Sequence, residues 1–256
     1  MSNLPEQNSI RLASINIEGD KHREAVVAFL LDFKPDVVCF EELAVPSIEF
    51  FEKALNMKGH FLPMMKTHTM PGDFTSLLET FGVGIFSNLP ISDTGSDYYY
   101  LGSGNLPTLK FKDGATDETT LWRGLLRADI KKGDKLYTVA VTHFTRTPNG
   151  CPDDKQRRDM KNLLALLSEI PEVILCGDFN APRGMEIFSM LSEKYKDNIP
   201  ERYTSSLDPK LHTLRNSKMY MVDGLFTTPY YVVTDVKLSE GISDHMAVTA
   251  IIGTKE

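Results

Sequence analysis

Cysteine is scarce: three residues in a chain of 256, at positions 39, 151 and 176. The number is odd, the spacing wide, and two of the three sit inside the apolar runs DVVCF and VILCG. That argues against a disulfide framework and against a cysteine-built zinc site, and it fits a reducing compartment. Long hydrophobic runs are missing as well. No stretch of about 18 apolar residues occurs, so no membrane-spanning helix is expected, and the opening MSNLPEQNS lacks the apolar segment of a leader peptide. These absences predict a soluble, cytoplasmic protein with no stable membrane insertion. Positive charge is in deficit, with 28 Lys and Arg against 35 Asp and Glu, a net −7. Such a balance is not built for undirected binding to nucleic acid. A divalent metal can reverse the local field, so a nucleic-acid substrate stays open. Finally, GxSxG, P-loop, GxGxxG and HExxH patterns are absent, as are internal repeats and low-complexity segments.

What is present is an ordinary globular composition, 41% apolar and 25% charged. The length suits one domain over residues 1–256. Strands are expected at 10–17, 36–40, 81–87, 121–130, 135–143 and 173–176, and near the C-terminus at 219–227, 231–238 and 245–252. Helices are expected at 23–33, 45–55, 155–170 and about 184–194. The Gly133-Asp134 dipeptide predicts a hairpin between two of the strands. Residues 92–119, rich in Gly, Ser, Asp and Thr, read as a long surface excursion. Strands outnumber helices, and hairpins mix with β-α-β crossovers. This points to an α/β protein with two packed sheets and helices outside.

One pattern recurs: an apolar run ends and an acid, amide or histidine follows at once. The runs end in Asn16, in Glu41 and Glu42, in His143, in Asp178 with Asn180, and in Asp223. The last strand begins directly after Asp244 and His245. Each has an ordinary structural explanation. Asn16, or Asp178 with Asn180, could serve a turn, and the glutamates could open the following helix. His143 could be a satisfied core histidine. Adjacent side chains on a strand point to opposite faces, so at most one of Glu41 and Glu42 is expected in a shared site. Asp223, between apolar neighbours, needs a partner, and only a cation or a histidine can supply it. Together the residues form an inventory for phosphate-ester hydrolysis: oxygen ligands for Mg²⁺, a base for water, donors for developing charge, and a carboxylate to fix an imidazole tautomer.

The ordered set SINIEG, VVCFEEL, VTHF, GDFNA, MVDGLF and SDHMAV resembles the endonuclease/exonuclease/phosphatase superfamily, and FGVGIFSNLPI at 81–91 is similar to a strand of that family. The resemblance runs over about residues 10–252. It implies a four-layer α-β-β-α sandwich of two packed mixed sheets, and a Mg²⁺- or Mn²⁺-dependent hydrolase. In the same way it implies Glu42 as the main metal ligand, with Asn16 and Asp244 near it, and Asp178 to position or deprotonate the attacking water. Asn180 and His143 would donate to phosphate oxygens, and His245, oriented by Asp223, would contact the phosphate or exchange protons. Two positions depart from the family pattern. Glu41 stands where Gln is common, which is expected to add negative charge beside the metal, and Gly224 follows Asp223 where an aromatic is common. The segments LWRGLLRAD and VTHFTRT look most like the tyrosyl-DNA phosphodiesterase and sphingomyelinase-like branches. The expected activity is a phosphodiesterase on nucleic acid ends, DNA or RNA, or a related diester. A phosphomonoesterase on a small metabolite or headgroup and a non-catalytic phosphate-binding module stay open. Trp122 and Tyr98-Tyr99-Tyr100 could stack on bases or belong to core and sheet edge. Arg123, Arg127, Arg146, Arg157 and Arg158 could bind phosphates.

Overall fold

Burial along the chain follows two periods, and these build the layers. The computed structural model describes residues 8–68, 77–112, 115–117, 120–213 and 220–255. Strand β1 (Ser9–Asn16) turns Ile10 and Leu12 to one face and Ala13 and Ile15 to the other, as a two-residue period demands. It is followed by α1 (Arg23–Phe33), β2 (Val37–Ala44), α2 (Val45–Leu55), β3 (Lys58–His68), β4 (Leu78–Ser87) and β5 (Ile91–Tyr100). Then come the short β6 (Lys110–Lys112) and β7 (Ala115–Asp117), β8 (Arg123–Lys132), β9 (Lys135–His143), α3 (Asp154–Ser168) and β10 (Ile174–Asp178). The last elements are α4 (Glu186–Ser192), β11 (Lys196–Asp197), β12 (Asp223–Thr227), β13 (Tyr231–Ser239) and β14 (Ala247–Thr254).

Among the described residues there are two six-stranded sheets, ordered β13-β14-β1-β2-β4-β3 and β11-β12-β10-β9-β8-β5. Each is mixed, with one parallel pair: β1 with β2, and β10 with β9. The sheets pack face to face through Leu12, Val37, Cys39, Val139, Val141, Cys176 and their neighbours. Outside the first sheet, Val26 and Leu30 of α1 and Phe51 of α2 cover Ala13, Ile15, Val38 and Phe40. Outside the second, Met160, Leu163 and Leu167 of α3 and Ile187 and Leu191 of α4 cover Ala140 and Leu175. The result is the four-layer α-β-β-α sandwich. Asp153 caps α3 by accepting from the Gln156 amide at 2.7 Å. Cys39 and Cys176 meet between the sheets as free thiols. Their mutual hydrogen bond, with burial, holds the Cys39 thiol well above its usual range. No helix among the described residues is long and apolar enough to cross a membrane.

Helices α1 and α2 fall on the expected bounds, and Lys132 pairs directly with Lys135 across a Gly133-Asp134 turn with Gly133 at φ 61°. Several strands differ from expectation. The expected excursion at 92–119 begins with β5, an edge strand paired along β8. Its Ser, Thr, Asp and Gly residues are poor strand formers, and pairing with a neighbour overrides them. Strand β3 was not expected because Pro63 interrupts it. It lies at the other sheet's edge, with a register shift beside that proline, where a missing N–H is tolerated. The expected strand at 219–227 shortens to β12, and position 219 lies outside the described residues.

Candidate active site

Topology brings the polar strand ends together. Strands β1 and β2 run parallel, so Asn16 and Glu41 end side by side as paired residues. Strand β14 is antiparallel to β1, so Asp244 and His245, just before its first residue, arrive at the same edge. In the second sheet Asp178, the last residue of β10, is paired with His143 at the end of β9 and with Asp223 at the start of β12. Each sheet thus contributes half of one constellation.

Strand β2 carries a bulge there. Phe40 pairs with Gly84 and Leu43 with Gly82, so Glu41 and Glu42 together oppose Val83. Glu42 takes a left-handed φ of 54°. The bulge breaks the alternation: Glu42 lines the cleft, while Glu41 is buried beneath it, in keeping with the expectation that at most one of the two faces the shared site. Glu42 Oε1 accepts from Asn16 Nδ2 at 3.2 Å and lies 3.9 Å from His143 Nε2. Burial at the cleft floor and the nearby Asp244 carboxylate raise the Glu42 carboxyl above the usual range. Glu41 is fully buried, with Oε1 accepting from Ser14 Oγ at 3.1 Å. Desolvation, then the Asp223 and Asp178 charges, push it far up. Its acid form is thus favoured, which works against the negative charge expected of it beside the metal.

Asp178 is the hub. Its Oδ2 accepts from Asn16 Nδ2 at 3.2 Å and lies 3.5 Å from His143 Nε2 and 3.8 Å from His245 Nε2. Its Oδ1 accepts from the backbone N–H of Asn180 at 2.8 Å. That last bond is an Asx turn, and Asn180 is left-handed at φ 48°. The chain turns at Asp178 instead of staying extended. The stretch GDFN is therefore a turn and part of the site at once. Phe179 drops into the helix-side core, while Asp178 and Asn180 face the cleft. Asn180 Nδ2 donates one N–H to the Phe144 carbonyl at 3.2 Å, which leaves a second N–H on that amide. Burial raises the Asp178 carboxyl to about 6, with Asp223 adding and His245 opposing. Gly177 is required by close approach: a Cβ there would lie 2.0 Å from the Thr142 carbonyl oxygen.

Asp223 finds its partner in His245. Asp223 Oδ2 accepts from His245 Nδ1 at 2.8 Å, and the backbone N–H groups of Val222 and Asp223 donate to the buried Ser206 hydroxyl. Burial alone pulls His245 down, but the Asp223, Asp178 and Asp244 carboxylates outweigh it and hold the ring protonated, well above 6.5. His143 is the opposite. Burial, then Arg123, His245 and Arg146, hold it neutral, well below 6.5. Two imidazoles near one carboxylate are thus pushed in opposite directions.

These groups form the floor of a cleft of about 890 Å³. Arg123 and Arg146 line it. Arg123 is buried, and its Nη1 donates to the His143 carbonyl at 3.2 Å. The other arginines lie elsewhere: Arg127 pairs with Asp93 and Asp129, Arg157 with Glu186 and Asp154, and Arg158 with Asp159. Trp122 packs edge-on against Tyr98 at 5.1 Å, Tyr99 is buried against Phe144, and none of the three is a cleft-lining residue. Glu18, just beyond Asn16, lines the cleft, as do His212 and Lys21, which were not singled out from the sequence. His212 follows no apolar run and sits in a loop. That loop is docked by the Asp208 amide donating to the Asp244 carbonyl at 2.7 Å.

A family model described as the Endonuclease/Exonuclease/phosphatase family matches residues 13–245, a span running from before Asn16 to His245 itself. The chain belongs to this family. Solved structures with the family's sandwich superpose over nearly the whole chain. The human Nocturnin catalytic domain with bound sulfate anion is 16% identical with a TM-score of 0.71, covering 99% of this chain and 100% of that one. The D. rerio TDP2 complexed with single strand DNA product is 18% identical, with a TM-score of 0.68 and coverage of 96% and 99%. A mannosyl-6-phosphatase from Bacteroides thetaiotaomicron is 14% identical, with a TM-score of 0.65 and coverage of 95% and 99%. At these identities the likeness is one of fold. No curated protein matches the sequence.

Members of the endonuclease/exonuclease/phosphatase family are generally divalent-metal dependent, and the donors here suit such an ion. Glu42 and Asp244 are carboxylates whose mutual repulsion a dication relieves, and oxygen donors are what Mg²⁺ selects. Asn16 turns its NH₂ to Glu42 and Asp178 and its oxygen to the Glu18 N–H, at 3.2 Å in each case. As placed, it spaces two carboxylates. Side chains with ligand atoms within 4.8 Å of one another form two groups among the described residues: Asp178, Asp223 and His245, and His212, Asp244 and His245.

Proposed function

We propose that the protein is a Mg²⁺- or Mn²⁺-dependent phosphodiesterase acting on nucleic acid ends, or on a diester with a comparable aromatic substituent. The carrying observation is the meeting of Asp178 with His143 and His245 on the cleft floor, beside Glu42. Glu42 and Asp244 would hold the cation, with Asn16 beside them. When bound, it supplies positive charge to the phosphoryl oxygens and leaving group. Asp178, desolvated and raised toward neutrality, takes the proton of the attacking water. His245, oriented by Asp223, donates to a phosphoryl oxygen, as do the neutral His143 and the remaining N–H of Asn180. The preference for an aromatic substituent comes from the cleft wall of Met65, Phe81, Leu109 and Leu121, which a nucleobase covers and a bare sugar phosphate leaves unused. We place this activity in one domain spanning 1–256 and in the cytoplasm, where three free cysteines persist. The second reading is a phosphomonoesterase on a small phosphorylated sugar, supported by the fold shared with the mannosyl-6-phosphatase.

The test is one panel of substrates: bis-p-nitrophenyl phosphate, a 5′-phosphotyrosyl oligonucleotide, single-stranded DNA and RNA, and mannose 6-phosphate, each with Mg²⁺, Mn²⁺ or EDTA. Turnover of a diester only with metal is expected. Exclusive turnover of the sugar phosphate supports the second reading, and no turnover anywhere removes both. Asp223→Asn is a second test. An amide in that place can hold the other tautomer of His245, so kcat should fall about 10²- to 10⁴-fold with KM within threefold, measured on the preferred substrate. Unchanged kcat would show that His245 needs no such orientation.

A further inference from the structure

The loop of residues 207–213 brings a nitrogen donor to a set of oxygens. His212 Nε2 lies 4.0 Å from Asp244 Oδ2, both side chains are largely covered, and its ring stands edge-on to His245 at 5.7 Å. The loop is pinned on the N-terminal side of His212. Leu207 bridges to His245, Asp208 receives the Gly241, Lys210 and Leu211 amides, and the Asp208 amide donates to the Asp244 carbonyl. These contacts hold the backbone leading into His212, whose own N–H donates to the Asp208 carbonyl at 3.2 Å. Donor atoms 4.0 Å apart can share one ion at ordinary bond lengths of about 2.0–2.2 Å. His245, the third member of that group, is committed to Asp223 through Nδ1, and its Nε2 lies 3.8 Å from Asp178 Oδ2. Both nitrogens of His245 thus face carboxylates of the other sheet, and the imidazole nitrogen set against Asp244 Oδ2 is that of His212.

We propose that His212 is a metal-selectivity residue: with Asp244 it forms a mixed nitrogen and oxygen ligand pair that favours a transition-metal dication such as Mn²⁺ over Mg²⁺. Mg²⁺ demands oxygen and keeps its waters, so an imidazole adds little to its binding. A first-row transition metal gains more from the softer nitrogen. The proposal rests on the metal-dependent reading above, and the test separates the two.

The full-length protein is titrated with Mn²⁺ and with Mg²⁺ by calorimetry, as wild type, His212→Ala and His212→Asn. The Mn²⁺ complexes are then examined by electron spin-echo spectroscopy for coupling to a ligand nitrogen. We expect nitrogen modulation in the wild type and its loss in both variants. Mn²⁺ affinity should fall roughly tenfold or more, with Mg²⁺ affinity changed less than twofold. Circular dichroism and the melting temperature show whether each variant is folded, and the Asn variant serves if Ala is not. Mn²⁺ binding without nitrogen modulation, or modulation that persists in the variants, overturns the role of His212 and leaves the metal-dependent reading standing. If neither ion binds any form, both readings fall.

Discussion

Asp178→Asn should reduce kcat by about 10³- to 10⁴-fold on the preferred substrate, a barrier increase of about 4–5.5 kcal/mol. The substitution keeps shape and removes charge. Asp178 Oδ2 faces three nitrogens, Asn16 Nδ2 and the Nε2 atoms of His143 and His245, while Oδ1 is fixed by the Asn180 amide. An Asn with its carbonyl oxygen toward the Asn180 amide keeps that turn, but it turns an NH₂ toward donors and cannot accept the proton of water. The fold should persist, because the buried carboxyl is already costly to ionise at this position. Saturation kinetics, with circular dichroism as the control, provide the measurement. A protein that merely binds phosphate would keep its ligand affinity and have no rate to lose. A variant that retained more than a tenth of kcat would remove Asp178 from the proton transfer.

Gly177→Ala should destabilise the protein by about 3–5 kcal/mol, near the upper end for one methyl group. Alanine's Cβ would stand 2.0 Å from the Thr142 carbonyl oxygen, and that oxygen belongs to the neighbouring parallel strand. Backbone cannot give way as a side chain does. Strands β9 and β10 must part, and His143 and Asp178, the next pair along, part with them. Thermal or denaturant unfolding should show the loss, as a drop of roughly 10 °C in Tm for a chain of this size. A change under 1 kcal/mol would mean that the strands relax freely at this point.

The legibility of this chain in its sequence follows from which residues face water. Helices α1 and α2 were readable to the residue because their apolar positions repeat with helical spacing and Pro35 closes the first. The inner strands were readable because both faces are covered and their sequences are almost wholly apolar. The edge strands β3 and β5 were not, since one carries Pro63 and the other Ser, Thr, Asp and Gly, and only pairing with a neighbour makes them strands. The site was readable as a list, because an ionisable residue at the end of an apolar run needs a reason to be there. Its geometry was not. The bulge that sets Glu42 at the cleft and Glu41 beneath it depends on the pairing of β2 with β4, which local sequence does not encode. His212 was invisible because a loop histidine carries no pattern, and tertiary hydrogen bonds alone put it beside Asp244.

The division of the site between the sheets has a consequence for how the protein acquires activity. Asn16, Glu42 and His245 arrive with one sheet, and His143, Asp178 and Asp223 with the other. Neither half contains a base with its histidines. During synthesis the last contributors, Asp244 and His245, precede β14, which pairs with the first strand, β1, from more than 200 residues earlier. The chain must therefore be nearly complete before its first sheet is. A folding intermediate with both sheets formed but not docked would carry nearly all the secondary structure and no functioning centre. Recovery of the proposed turnover would therefore report the closing of one sheet upon the other.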